Sequence, residues 1–120
     1  MDSRERGQWG EDRAARFLRL RGWRILERNY RCRQGEIDLI AARGGVLAFV
    51  EVKLRKGAAF AEAREFVTRA KQERIRTAAA LYLAEHDSEL QPRFDVIEIY
   101  APEGERTCFP RINLIENAFM

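Results

Sequence analysis

The chain has 120 residues, with 22 lysines and arginines against 19 aspartates and glutamates, a formal charge of +3. That is the length of one ordinary domain, able to bury roughly two-thirds of its unfolded surface in a single core, and residues 1–120 are read as one domain. No run approaches the roughly 20 apolar residues of a membrane span, and Met1-Asp2-Ser3-Arg4-Glu5-Arg6 has no apolar signal segment. A cytoplasmic protein with no membrane partner is therefore expected.

Cys32 and Cys108 lie far apart with no CxxC spacing, which argues against a zinc site or a disulfide framework. The single histidine, His86, cannot build a His-rich metal site alone, so any catalytic metal would need carboxylate ligands. Residues 1–33 hold ten arginines against five acids, leaving the rest slightly acidic. That basic end is either a phosphate-facing surface or a solvated face of mixed charge.

In chain order, Arg4 to Arg21 reads as a helix, with Ser3 as N-cap and Gly22 as the left-handed residue that stops it. Trp23 to Tyr30 is strand-like, Arg31 to Gly35 a polar turn, and Glu36 to Arg43 a second strand. Gly44-Gly45 then reads as a two-residue hairpin turn into a third strand, Val46 to Lys53, because paired glycines accept the positive φ angles of such turns. After a basic loop with Arg55, Lys56 and Gly57, residues from about Glu62 to Glu85 are helix-rich, with Thr68 capping the longer second part. Strands follow at Arg93 to Tyr100 and near Ile112 to Ile115, before an apolar Ala118-Phe119 end. This order predicts an α/β fold, a mixed sheet with helices over its faces.

The hairpin carries the chemistry. With Gly44 and Gly45 as the loop, Arg43 pairs with Val46 and, five steps on, Asp38 faces Glu51. Carboxylates about 5 Å apart repel unless a positive group lies between them, and a divalent cation suits that place. Alternation puts Glu36, Asp38 and Ile40 on one face with Phe49, Glu51 and Lys53, and Ile37, Leu39, Val50 and Val52 on the other. Paired carboxylates can hold Mg²⁺ against a phosphodiester, and the Lys53 ammonium can orient or activate water or stabilise developing charge. The alternative is a Lys53–Glu36 cross-strand pair with Asp38 and Glu51 as solvated strand ends.

Two helical residues favour a site. Glu11 falls on the stripe of Ala14, Ala15 and Leu18, where a carboxylate has no obvious reason to face the core; it is a third candidate ligand, or a favourable acid early in a helix. Lys71 falls on the stripe of Val67, Ile75, Ala78 and Tyr82, and either contacts substrate phosphate or snorkels to solvent. Arg55, Lys56, Arg64, Arg69 and Arg74 are further candidates for phosphate contact, and Trp9, Trp23 and Tyr30 are read as core.

Gly10-Glu11, Asn29-Tyr30-Arg31, Gly35-Glu36-Ile37-Asp38, Phe49-Val50-Glu51-Val52-Lys53, Arg93-Phe94-Asp95-Val96 and Asn117-Ala118-Phe119 together resemble the bacterial YraN family over nearly the whole chain. That family is similar to the PD-(D/E)xK nucleases, especially archaeal Holliday-junction resolvases. The resemblance implies a restriction-endonuclease-like core, Mg²⁺ (with Mn²⁺ able to substitute), and Asp38, Glu51 and Lys53 as the catalytic signature. It implies Glu11 as the helix-one carboxylate and Asp38, Glu51 and Glu11 as the metal ligands. The proline of the signature is replaced by Ile37.

The leading expectation is a Mg²⁺-dependent endonuclease acting on DNA; the resemblance to resolvases adds branched repair intermediates as candidate substrates and a homodimer as a candidate assembly. The alternative is a non-catalytic nucleic-acid-binding subunit of a DNA- or RNA-processing complex. A third is an interaction scaffold whose apolar C-terminal segment docks on a partner.

Overall fold

A computed structural model describes residues 3–55 and 67–120. Helix α1 spans Ser3–Leu20, and strands β1, β2 and β3 span Arg24–Cys32, Gly35–Arg43 and Val46–Arg55. Helix α2 spans Arg69–Glu85, β4 Gln91–Tyr100 and β5 Arg111–Phe119, with a short 3-10 turn at Gly104–Arg106. The strands form one mixed sheet in the order β1-β2-β3-β4-β5. Only β3 and β4 run parallel, because a crossover through α2 joins them. No helix among the described residues is long and apolar enough to cross a membrane.

Local chemistry accounts for the punctuation. Gly22 stops α1 at φ 88°, and Gly44 turns the hairpin at φ 56°. The register that follows pairs Arg43 with Val46, as the turn predicts. Thr68 caps α2, its hydroxyl accepting the Lys71 N–H at 3.2 Å. Ser3 lies inside α1 rather than before it, so the cap position falls outside the described residues. Residues 62–66, read as the start of the helix-rich region, and Lys56 and Arg64 also lie outside them.

A core covers each sheet face. Ala14, Ala15 and Leu18 of α1 pack on Leu39, Ala41, Ala48, Val50, Ile97 and Ile99. Ile75, Ala78, Ala79 and Tyr82 of α2 pack on Ile37, Ile40, Ala42, Leu47, Phe49 and Val96. The last strand runs longer than its apolar letters suggest, from Arg111 to Phe119, because pairing with β4 stabilises it. Phe119 stacks on Phe94 at 5.1 Å between ring centres, so this part of the C-terminal apolar segment packs within the fold.

The face assignment of β2 needs correcting. Leu39 packs toward α1 and Ile40 toward α2, but Ile37 packs with Ile40 rather than with Leu39. Alternation therefore slips at Asp38, which lines a cavity with Arg4, Gly7, Gln8 and Glu11 of α1. Asp38 also lines a space with Glu51, Lys53 and Lys71 of α2, so it sits off the regular alternation rather than squarely on one face.

Candidate active site

The slip follows from two interrupted ladders. Pairing between β2 and β3 stops at Leu39–Val50, one step short of Asp38–Glu51. Val52, which a continued ladder would set opposite Ile37, donates its N–H to Asp38 Oδ2 at 2.8 Å. On the other edge, β1–β2 pairing runs through Arg28–Leu39 and Tyr30–Ile37 but omits Asn29, the residue across from Asp38. Asn29 has φ 52° in the middle of a strand, a left-handed conformation that asparagine tolerates better than most residues. Its amide donates to Glu11 Oε1 at 2.7 Å. Both irregularities are thus taken up by polar side chains.

Glu51 faces α2 and is only 6% exposed. A carboxylate so buried must be paired, and two ammoniums meet the same oxygen, Oε1: Lys71 at 2.5 Å and Lys53 at 3.5 Å. Glu36 pairs instead with Arg31 at 3.1 Å, which removes the proposed Lys53–Glu36 pair. A cavity of about 190 Å³ is lined by Gly7, Gly10, Glu11, Asp38, Glu51 and Lys53, and by Lys71 as well. Gly10 admits α1 to this wall: a Cβ there would lie 3.2 Å from Leu54 of β3.

Charge is strained in the cluster. Burial, and then the nearby Glu51, push the Asp38 carboxyl up to about 8, against the pull of the Val52 N–H. Burial raises Glu11, with Asn29 and Arg28 pulling the other way. Burial and the neighbouring Lys71 lower Lys53. Burial would also lower Lys71, but its hydrogen bond to Glu51 and the charge of Glu51 outweigh this and raise it. Two carboxylates and two lysines therefore hold opposed protonation tendencies in one small space.

Each carboxylate is tied by one oxygen. Asp38 Oδ2 holds Val52, Glu51 Oε1 holds the lysines, and Glu11 Oε1 holds Asn29, with Arg28 at 3.9 Å. Among the described residues no three His, Cys, Asp or Glu side chains are drawn into a ready-made metal cage.

The sequence-named residues divide plainly. Asp38, Glu51, Lys53, Glu11 and Lys71 come together. Lys71 meets Glu51 rather than standing free for phosphate. Arg55 lies 3.6 Å from buried Glu98 and is turned inward, whereas Arg69 and Arg74 are exposed on α2. Asn29 had no role assigned from sequence; an asparagine within an otherwise good strand was the available signal.

The family described as Uncharacterised protein family UPF0102 matches residues 10–99. The chain belongs to that family. A UPF0102 protein of Symbiobacterium thermophilum is 52% identical over 119 residues, covering 98% of each chain. One from Nocardia farcinica is 45% identical over 115 residues, covering 95% of this chain and 91% of its own. The YraN-like resemblance is to this family, and the whole UPF0102 match spans Glu11, Asn29, Asp38, Glu51, Lys53 and Lys71.

Proposed function

We propose that this UPF0102 protein is a divalent-cation-dependent nuclease acting on DNA phosphodiester bonds. The observation that carries the reading is the interrupted hairpin: Asp38 takes a main-chain N–H from β3 beside Glu51, in a cavity that Lys53 also lines. A stable hairpin would not gather two carboxylates at its frayed end without a use for them.

Oxygen donors fit a hard cation, and Mg²⁺ keeps several waters rather than needing an all-protein cage. Asp38 and Glu51 would hold it, with Glu11 reaching it through water. Bound there, the ion would supply a Lewis acid for the phosphoryl oxygen and an acidified water. The chain's own groups then have distinct work. Val52 N–H fixes the Asp38 carboxylate, Asn29 fixes Glu11, and Lys53 Nζ, lowered by burial, can accept or donate a proton near the attacked phosphorus.

A second reading has support of its own. Glu51 already has two ammonium partners, so its charge is balanced without an ion, as in a binding module that does not cut. That reading predicts salt-sensitive binding with no cleavage.

The deciding experiment incubates the protein with Mg²⁺ or Mn²⁺ and single-stranded, duplex, flapped and four-way-junction DNA, alongside Asp38→Asn and Lys53→Ala. Cleavage by the parent and loss in both folded variants supports the nuclease and identifies its substrate. Binding with intact DNA throughout supports the non-catalytic module.

A further inference from the structure

Lys71 belongs to two places. Its ammonium meets Glu51, and the residue also lines a second cavity, of about 660 Å³, between the β1–β2 turn and α2. Arg31, Arg33, Gly35 and Arg74 line the same cleft. Arg31 is paired with Glu36. Arg33 and Arg74 are exposed, and neither has an ion-pair partner among the described residues.

The cleft is held by backbone contact. A Cβ on Gly35 would lie 2.6 Å from the Arg74 carbonyl oxygen, so the turn presses directly on α2. Two guanidiniums with no ion-pair partner among the described residues, and an ammonium, around one concavity repel each other. They suit a phosphodiester, which guanidinium binds through paired N–H donors.

Glu51 has more positive charge beside it than one carboxylate needs. Lys53 arrives from Glu51's own strand and is 20% exposed, whereas Lys71 reaches across from α2 and is 38% exposed. Lys71 makes the shorter contact with Glu51, yet it is the one with more solvent around it and a separate element behind it, so it has room to turn away. An ammonium on a four-carbon stem changes partner by rotamer change alone.

We propose that Lys71 is a shared cation: it stands on Glu51 while no divalent ion is held, and turns into the Arg33–Arg74 cleft to meet a DNA phosphate when an ion takes over the charge of Glu51. This rests on the cation-dependent reading above. Ion and nucleic acid then strengthen each other's binding through one side chain, and the coupling is reciprocal.

The test measures anisotropy of a short fluorescein-labelled single strand with the full chain, in EDTA and in saturating Ca²⁺, for the parent, Lys71→Met and Arg74→Ala. Lys71→Met should weaken binding about tenfold in Ca²⁺ and no more than about twofold in EDTA. Arg74→Ala should weaken it in both. Equal Lys71→Met penalties in the two buffers overturn the proposal, as does an unaffected Arg74→Ala. Mn²⁺ binding, followed by loss of the free-ion paramagnetic resonance signal, separates the two levels. No Mn²⁺ binding overturns the cation-dependent reading and this proposal together; Mn²⁺ binding with equal penalties overturns this proposal alone. Lys71→Gln, checked by circular dichroism, repeats the comparison should Lys71→Met fail to fold.

Discussion

Asp38 accepts the Val52 N–H at 2.8 Å, and in doing so takes a main-chain donor out of the β2–β3 ladder. The same carboxyl is pushed up to about 8, by burial first and by Glu51 second. In the unfolded chain it ionises near 3.8. Between those two values the folded state holds a proton that the unfolded state has released, so stability falls as pH rises through the window and is flat above it. Asp38→Asn removes this penalty. The variant should match the parent near pH 4 and melt higher at pH 8, with the gap in Tm widening as pH rises between the two values. Calorimetric melting at the two pH values checks it; a variant less stable at pH 8 would count against the account of Asp38.

Glu51 should respond in the opposite direction. Glu51→Gln leaves the ammoniums of Lys53 and Lys71 facing each other without the carboxylate that both meet. Both lysines keep some solvent, so the loss should be moderate, roughly 1–3 kcal/mol. Urea unfolding at pH 7 would show it as a lower midpoint with an unchanged slope.

Asn29 combines a strained backbone with a hydrogen bond to Glu11. Asn29→Gly accepts φ 52° but loses the amide, so stability should stay within about 1 kcal/mol while Mn²⁺ affinity drops. Asn29→Val loses the amide and must also enter the left-handed region, at a further cost of about 1–2 kcal/mol. Paired urea and Mn²⁺ titrations separate strain from positioning. Equal stability losses in the two variants would remove the strain argument.

Gly35 and Gly10 are both close approaches, but they differ in what they meet. A Gly35 Cβ would strike the Arg74 carbonyl oxygen at 2.6 Å, and a helix backbone cannot yield without moving α2. Gly35→Ala should therefore destabilise by about 1–3 kcal/mol. Gly10→Ala meets the end of the Leu54 side chain at 3.2 Å, which can turn aside, and should be the milder change. Denaturant midpoints for the pair test the ranking.

Away from the site, Arg93 binds Asp95 through two hydrogen bonds of 2.9 Å each, and Asp95 is 1% exposed. Asp95 also accepts the Asn117 N–H at 3.0 Å, where Asn117 has φ 52°. Arg93→Ala strands that carboxylate and should destabilise by about 3–5 kcal/mol. Chemical denaturation checks the magnitude, and ion binding by the remaining folded protein should be unchanged.

Much was legible from the chain because its signals are local. Gly44-Gly45 set the hairpin register, Gly22 stopped α1, Thr68 capped α2, and the stripes of Ala14, Leu18, Ile75 and Tyr82 named the faces that became cores. A glycine's freedom, a cap hydroxyl and a helical period each act within a few residues, so they can be read in order along the sequence. The clustering of Asp38, Glu51 and Lys53 followed from that register. Glu11 and Lys71 stood out as charges on apolar stripes.

The tertiary structure decided what those charges meet. Strict alternation put Asp38 and Glu51 on one face, whereas the carboxyl of Asp38 captures Val52 N–H, Asn29 turns left-handed across from it, and the strand slips so that Asp38 meets Glu11 of α1 as well as the Glu51 cavity. Lys71 was read as a phosphate contact or a snorkelling side chain, and in this structure its ammonium rests on Glu51, a partner the helical stripe could not name. These outcomes depend on groups brought together from α1, β1, β2, β3 and α2, where a buried carboxylate must find a partner wherever the packing offers one. Sequence determined the elements, their caps and the residues bearing charge; the choice of partners arose only when distant strands and helices closed on the same buried space.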